Sequence, residues 1–281
     1  MAGPHPTAPP PSVDGRRPAG DLALTLVTRP EECVEVARLF DRIWSVEDGT
    51  ILDRHMMVAL IHSQNYVLLA SLDGRPVGAA VGFCGPPGQP FHSHIVGVRP
   101  EASGHGIGRA IKEHQRRWCL DRGIVTMAWT FDPLVARNAH FNIRVLGALP
   151  RHYHEEFYGP MRDTVNAGQA SDRMVVRWDL PTGAPSDRTR TPGGAPSSTT
   201  AHVALPNQHD EPGGLALDVP PGTTDVLVGL PRDIEGLRRD DPELARRWRQ
   251  ETRLALGSLL AQGWQVHDFD DDRHYILRRE P

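Results

Sequence analysis

Lysine is almost missing from this chain of 281 residues, because Lys112 is the one lysine among 31 basic side chains. Cysteine is scarce too, and the three cysteines stand far apart without a C-x-x-C pair, at Cys33, Cys84 and Cys119. That spacing argues against a disulfide framework and against a zinc site of paired cysteines, and it indicates a reducing compartment. We therefore expect a protein without a bound metal.

Long apolar runs are absent as well. No run approaches the roughly 20 residues that a membrane helix needs. Residues 1–20 lack the apolar core of a signal peptide. The formal net charge of −4 offers no excess of positive charge to a nucleic acid. These absences predict a cytoplasmic protein that binds neither membranes nor nucleic acids.

Composition divides the chain into four parts. Residues 1–20 are rich in proline and predict a disordered tail. Residues 21–180 alternate strand and helix patterns, which is typical of one α/β domain with a mixed sheet. Residues 181–214 are dense in Pro, Gly, Ser and Thr and predict a linker. Residues 215–281 predict a small β-α-β-β module.

The most informative stretch covers residues 92–123. Residues 93–98 predict a short strand, which ends at Arg99-Pro100 because proline supplies no amide donor to a ladder. A bend with three glycines follows, at Gly104, Gly106 and Gly108, and then a helix runs to about Arg122. Free amides at a helix N-terminus, together with the helix dipole, form an anion site that phosphate can approach closely when glycine lines it.

Two common phosphate motifs do not fit this bend. The dinucleotide fingerprint GxGxxG has a different glycine spacing from Gly104-x-Gly106-x-Gly108. The nucleotide P-loop needs GK[ST] after the glycines, where this chain has Arg109-Ala110. The bend therefore indicates a different class of phosphate-bearing ligand.

The strand, bend and helix resemble the acyl-CoA-binding motif of the GNAT N-acyltransferase superfamily. In that motif a strand ending V-x-P leads into [QR]-x-x-G-x-[GA] and a helix. The matching residues are Val98-Arg99-Pro100 and Gly106-Ile107-Gly108-Arg109, while Ser103 stands where Gln or Arg is usual. The resemblance covers about residues 21–180. It implies a GNAT-like fold, with a sheet that is antiparallel at first and crosses over through a helix, followed by the added C-terminal module.

The resemblance also implies a co-substrate, acetyl-CoA or another acyl-CoA. Backbone groups of the strand would pair with its pantetheine arm, at Val96, Gly97 and Val98. Amides of the bend would hold the pyrophosphate, at Gly104, His105, Gly106, Ile107, Gly108 and Arg109, with help from the Arg109 and Lys112 side chains. Asn138 opens the segment NAHFNIRVLG, which resembles a second GNAT helix motif and implies a cofactor contact there.

Acyl transfer to an amine needs a group that takes up the amine proton. His92 and His94 stand two apart at the start of the predicted strand, so in extended backbone both side chains point to one face. Histidine titrates near neutral pH, and we predict His94 as the base. Asp132 is the alternative base, although Asp132 followed by Pro133 is also typical of a helix N-cap.

The leaving thiolate needs a proton in return. Ile143 stands where the GNAT helix motif places the tyrosine commonly proposed for that step. Two nearby tyrosines, Tyr153 and Tyr158, are candidates to replace it, and each can equally be a packed, hydrogen-bonded core residue.

These features predict an N-acyltransferase that moves an acyl group, by preference acetyl, to a small-molecule amine of amino-acid size. Transfer would be direct, in a ternary complex. The alternative is a non-catalytic CoA-binding sensor, which the isoleucine at position 143 favours. A homodimer remains open, because the small C-terminal module is expected to dock on the first domain or on a second subunit.

Overall fold

A computed structural model describes residues 20–44, 50–159, 170–180 and 200–279. It divides into two compact units. Unit 1 comprises residues 1–129 and 178–184, and unit 2 comprises residues 130–177 and 185–281. The predicted tail, apart from Gly20, and residues 181–199 of the predicted linker lie outside the described residues. The predicted domain boundaries stay predictions.

Unit 1 is a mixed sheet with three helices. Its strands are β1 (Leu22–Leu26), β2 (Tyr66–Leu72), β3 (Arg75–Phe83), β4 (Phe91–Val98) and β5 (Thr126–Phe131), whose last two residues belong to unit 2. Its helices are α1 (Pro30–Trp44), α2 (Arg54–His62) and α3 (Ile107–Leu120), with a 3₁₀ turn at Pro100–Ala102. The strands lie in chain order, antiparallel from β1 to β4, and β5 is parallel to β4. This confirms the predicted mixed sheet with its helical crossover.

Helix α1 begins at Pro30, a residue typical of the first position of a helix. Pro30 occupies its first turn, and Glu32 accepts hydrogen bonds from the amides of Thr28 and Arg29. Its buried residues recur at helical spacing, namely Cys33, Val36, Leu39, Phe40 and Ile43. They pack in one hydrophobic cluster with residues of α2, β2 and β3. The apolar face of α1 therefore covers one side of the sheet.

The turn between β2 and β3 is a type I′ hairpin turn. Asp73 has φ +50° and Gly74 has φ +74°, so both central residues are in the left-handed region. Glycine adopts that conformation without strain and aspartate tolerates it better than most residues. The Asp-Gly pair therefore fixes the register of the hairpin.

Within the described residues, unit 2 contains three α-helices, an antiparallel strand pair, a two-stranded hairpin and a four-stranded sheet. Helix α4 (Ala136–His140) continues into a π-helical turn at Phe141–Val145, and β6 (Leu149–His154) pairs antiparallel with β7 (Arg173–Asp179), of which residues 178 and 179 belong to unit 1. The C-terminal part adds β8 (Ala201–Leu205), β9 (Asn207–Gln208), β10 (Glu211–Pro212), β11 (Asp225–Gly229), α5 (Ile234–Asp240), α6 (Pro242–Ala261), β12 (Gln265–Phe269) and β13 (His274–Arg278). Four of these strands form a sheet in the order β12-β13-β11-β8.

Three features of unit 2 differ from the sequence prediction. Strands β8, β9 and β10 lie inside the predicted linker 181–214, because β8 gains its hydrogen bonds from parallel pairing with the distant β11. Helix α5 was not predicted, although the Asp233 carboxylate accepts from two amides at its start. The segment from the Asp132-Pro133 cap through NAHFNIRVLG, which predicts one continuous helix, is instead α4 followed by the π-helical turn.

We predict that Gly82→Ala destabilises the protein. An added Cβ would lie 2.8 Å from the His92 carbonyl oxygen and would clash with the ring of Phe91, which is fully buried and has no room to move. Overpacking of this kind costs about 1–3 kcal/mol of unfolding free energy, measurable by urea denaturation. Gly257→Ala in α6 is the control, because nothing lies within 4 Å of its added Cβ. It should raise stability by about 0.5–1 kcal/mol, and equal effects of both changes would contradict the prediction.

Candidate active site

Strand β4 has one edge that is only partly paired. Along its other edge, β4 pairs with β3 from His92 to Val98. With β5, the described residues form two pairs, Phe91 with Met127 and His92 with Ala128. Beyond His92 the two parallel strands separate. Backbone groups on that edge of β4 are therefore available to a ligand that adds to the strand.

A β-bulge lies where the strands separate. On β3, Val81 and Gly82 are neighbours, whereas their partners on β4 are Ile95 and Ser93. His94 is thus the extra residue on β4. Bulges bend a strand and re-aim the side chain that they contain.

Two histidines and a phenylalanine lie together beside the bulge. The ring centroids of His92 and His94 are 5.9 Å apart, and Phe83 lies 4.9 Å from His92 and 5.9 Å from His94. The two histidines share one face, as the sequence predicts. Partial burial lowers the pKa of His94, while burial followed by the charges of His94 and Lys112 lowers that of His92. Both imidazoles are therefore mainly neutral at pH 7 and able to accept a proton.

The glycine bend follows directly from the open edge. Gly104 has φ +84° and Gly106 has φ +73°, a conformation that side chains with Cβ rarely adopt. Helix α3 begins at Ile107, and its first hydrogen bond joins the Ala110 amide to the Gly106 carbonyl at 2.9 Å. The amides of the first turn precede that bond, so they have no partner within the helix. The His105 ring lies against the bend, with Nδ1 2.9 Å from the Ser103 carbonyl oxygen.

Trp44 lies against the strand, where it packs on the backbone of β4. A Cβ on Gly97 would come within 2.7 Å of its Cη2 atom, so glycine is required for this close contact. The Phe40 ring lies 5.6 Å from Trp44 in an edge-on arrangement. These contacts support a packing role for Trp44. The side chain of His55, on helix α2, is exposed and lies beside Asp53.

Lys112 occupies a place that we did not predict. Its side chain is buried, so it is not free to reach an external pyrophosphate. The ammonium donates a hydrogen bond to Ser93 Oγ at 2.9 Å and lies 3.7 Å from the centre of the Trp129 ring. Ser93 in turn donates to Gln115 Oε1 at 3.0 Å. Burial lowers the pKa of Lys112 to about 7.

Helical spacing could have indicated this position. Lys112 is adjacent to the buried Ile111 and one turn from Gln115 and Gly108, which are also buried. A lysine within such a stripe points toward the sheet. Its ammonium lies between a side chain of β4 and one of β5, close to where these strands separate.

The carboxylate of Asp132, in unit 2, is hydrogen-bonded to two arginines. Its Oδ2 accepts hydrogen bonds from Arg249 at 2.7 Å and from Arg238, and its Oδ1 accepts from the Leu134 amide at 3.0 Å. Burial alone would raise the pKa of Asp132, but the charges of Arg249 and Arg238 outweigh it and hold the pKa well below the usual range. A carboxylate this strongly stabilised is a poor base.

The two candidate tyrosines, also in unit 2, differ in environment. The Tyr153 hydroxyl donates to Asp172 at 2.6 Å, and burial followed by this hydrogen bond raises the pKa of Tyr153 above its usual value. Asp172 is held by two hydrogen bonds from Arg253. The Tyr158 side chain is exposed, and its hydroxyl lies 3.1 Å from Thr130 Oγ1. Tyr158 is therefore the more accessible of the two.

The remaining predicted positions also lie in unit 2. Asn138 is in α4 and is partly buried, and its amide donates to the Val135 carbonyl. Ile143 is fully buried in the π-helical turn. Across the described ranges, His, Cys, Asp and Glu form no group of three that could hold a metal ion. Helices in the described part of the chain are too short or too polar to cross a membrane.

Residues 33–147 match the model of the acetyltransferase (GNAT) family. This segment includes all of β4, the glycine bend and α3. The chain therefore carries an acetyltransferase domain of the GNAT family, followed by an additional C-terminal region of about 130 residues. The family resemblance seen in the sequence is confirmed.

Solved structures with similar folds cover little more than half of this chain. A putative GNAT acetyltransferase from Desulfovibrio desulfuricans is 16% identical, with a TM-score of 0.45 over 57% of this chain and 100% of its own. The ribosomal-protein-S18-alanine N-acetyltransferase from Escherichia coli is 14% identical, with a TM-score of 0.46 over 59% of this chain and 98% of its own. A putative acetyltransferase from Salmonella typhimurium, solved with its cofactor acetyl-CoA, is 14% identical, with a TM-score of 0.45. It covers 59% of this chain and 98% of its own. No curated protein matches the chain.

We predict that Lys112→Met changes how stability depends on pH. The folded protein releases the Lys112 proton near pH 7, whereas an unfolded lysine keeps its proton to about pH 10.4. Between these values unfolding takes up a proton, so the free energy of unfolding rises with pH, by at most about 1.4 kcal/mol per unit. The variant lacks this contribution.

Urea denaturation at several pH values from 7 to 9 would measure the effect. The variant should be more stable than the wild type at pH 7, and the difference should shrink as pH rises. Because both proteins share every other titrating group, the difference between the curves reports on Lys112. Parallel curves would show that Lys112 keeps an ordinary pKa.

Proposed function

We propose that this protein transfers an acetyl group from acetyl-CoA to a primary amine of a small molecule, by direct transfer in a ternary complex. One observation carries the proposal. In a domain of the GNAT acetyltransferase family, the open edge of β4 leads directly into the glycine bend at the start of α3. A long ligand with amide groups at one end and a pyrophosphate at the other matches this order, in which the backbone of the strand edge is followed by the amides of the bend.

The strand edge would bind the pantetheine arm. Pantetheine contains two amides, which can pair with the backbone of Val96, Gly97 and Val98 as an added strand would. The pyrophosphate would be held by amides of the bend and the first turn of α3, at Gly104, His105, Gly106, Ile107, Gly108 and Arg109. Positive φ at Gly104 and Gly106 supports this assignment, because it lets the backbone approach the phosphates without a Cβ in between. Asn138 stays a predicted contact on the resemblance alone.

His94 would act as the base. An amine nitrogen attacks the thioester carbon, a C–N bond forms, the C–S bond breaks, and the ammonium proton passes to His94 directly or through water. The neutral state of His94 at pH 7 supports this role, and its place on the bulge puts it beside the open edge. We no longer favour Asp132, since its carboxylate is already paired with Arg249 and Arg238.

The CoA thiolate must take up a proton at the end of the reaction. Ile143 has no proton to give, and Tyr153 is held to Asp172 with its pKa raised by burial. Tyr158 keeps an accessible hydroxyl, so it is the tyrosine that we propose for this step. Solvent water is the alternative donor.

A non-catalytic CoA sensor is the second candidate. The observation in its favour is that a buried isoleucine stands at position 143. Such a protein would bind acetyl-CoA and free CoA without releasing thiol in the presence of any amine. An acceptor pool with a colour reagent for free thiol distinguishes the two functions.

Thermal denaturation tests the binding site. Acetyl-CoA at a hundredfold excess over its dissociation constant should stabilise the wild type by about 2.7 kcal/mol. Gly106→Glu should abolish this shift, because it adds a negative side chain where the phosphates bind. Gly88→Glu is the matched control, since Gly88 has φ +84° and open space around it. It carries the same backbone strain and should keep the shift. No shift in the wild type would overturn the proposal.

The pH profile of acetyl transfer tests His94. In the wild type kcat/KM should fall at acid pH, and the midpoint of that fall should lie below about 6.5, the ordinary pKa of histidine, because burial lowers the His94 pKa. His94→Gln should reduce kcat/KM by about 10²–10⁴ and remove that acidic limb. His62→Gln, at an exposed position on α2, should change neither. An acidic limb that persists in His94→Gln would assign the proton to another group.

A further inference from the structure

Unit 2 contains a cavity lined by polar side chains, and none of its lining residues belongs to the acetyl-CoA site proposed above. Its volume is about 520 Å³, within the range of small-ligand pockets. The lining comes from the hairpin turn between β9 and β10, from the segment after β11, and from the turn into β13. All of these segments belong to unit 2.

Charges of both signs line this cavity without pairing. Arg232 and Arg273 contribute two guanidinium groups, and Asp210 and Asp272 contribute two carboxylates. Among the described residues, none of these four side chains forms an ion pair, and the Arg273 Nε atom is buried without a hydrogen-bond partner. Buried polar atoms without partners are rare in folded proteins and indicate a missing ligand or water.

The backbone that presents these side chains is strained. His209 has φ +56° and Asp210 has φ +70°, so a type I′ turn joins β9 to β10 without glycine. Arg273 has φ +65° in the turn before β13. The hairpin of unit 1 uses Asp73-Gly74 for the same kind of turn. Residues other than glycine thus stand at positions of the cavity where glycine would relieve the strain of the positive φ angle. Backbone strain of this kind is typical of functional sites.

Hydrogen bonds fix the strained residues in place. Asp210 donates its amide to Asn207 Oδ1 at 2.8 Å, accepts the Trp248 indole N–H on its carbonyl at 3.0 Å, and accepts the Arg232 amide on Oδ1 at 2.7 Å. His274 is held through Nδ1 by the Asp270 carboxylate at 3.0 Å, and its Nε2 has no hydrogen-bond partner among the residues that the structure describes. The cavity is therefore a preorganised site.

We propose that this cavity binds a small zwitterion of the α-amino-acid class. A carboxylate matches the two-pronged geometry of a guanidinium, offered by Arg232 and Arg273, and an ammonium group matches the carboxylates of Asp210 and Asp272. One molecule with both charges satisfies both sets at once. A simple anion would leave the two carboxylates facing its own charge.

Thermal shift of the full chain with each standard amino acid at millimolar concentration is the first test. Inorganic phosphate and succinate are the comparison anions. At least one amino acid should raise the melting temperature by mass action, and its N-acetyl form, which has no ammonium, should not. Stabilisation by phosphate or succinate and by no amino acid would overturn the proposal, and so would no stabilisation at all.

Variants locate the site. Arg232→Ala and Asp272→Ala, both at exposed positions, should each weaken binding of the active amino acid by about tenfold or more in calorimetric titration. Arg239→Ala and Asp240→Ala are matched controls on α5 outside the lining, and they should bind normally. Binding that survives both cavity substitutions would place the amino acid elsewhere, for example at the amine-acceptor site of the acetyl transfer, and would contradict the inference.

Arg273→Gly separates a binding role from a structural one. Glycine adopts φ +65° freely, so this variant should melt at a higher temperature than the wild type without ligand. It should also lose the stabilisation by the amino acid. A variant that melts lower, or that keeps the amino-acid shift, would show that Arg273 serves the fold alone.

Discussion

Strands β4 and β5 stay together for two residue pairs and then separate. Because β3 pairs with the other edge of β4 up to Val98, the open backbone stays extended without a second neighbour. Lys112 also restrains the position of β4, because its ammonium links helix α3 to Ser93 of that strand. The same ammonium lies over the Trp129 ring. The strand edge, the histidine on the bulge and the glycine bend are therefore parts of one continuous strand–turn–helix segment, held in place by β3 and by the contacts of Lys112.

Local patterns explain what could be predicted in unit 1. The glycine bend and α3 depend on neighbours in the sequence, and the shared face of His92 and His94 follows from the two-residue period of a strand. Lys112 was missed because lysine is usually exposed, although its helical neighbours Ile111 and Gln115 are buried. Periodicity alone could not reveal the bulge at His94, which depends on the register with β3.

Long-range pairing explains what could not be predicted in unit 2. The arginines that hold Asp132 lie 106 and 117 positions away in the chain, so its local pattern showed a helix cap and a candidate base equally well. Strand β8 has a composition like that of a linker and gains its structure from β11. Buried arginine–carboxylate pairs also recur here, with Arg253 bidentate on Asp172, which suits the planar guanidinium better than an ammonium group.

The burial of the single lysine also affects the protein as a chemical target. An acetyltransferase works in the presence of acetyl-CoA, and a lysine amine on a protein surface is a group that an acetyl donor can modify. Here the one lysine is 4% exposed, and every other basic side chain is arginine or histidine. Arginine keeps its charge under those conditions. The positive charge on the basic side chains at the surface is therefore carried by groups that are not acetylated as lysine is.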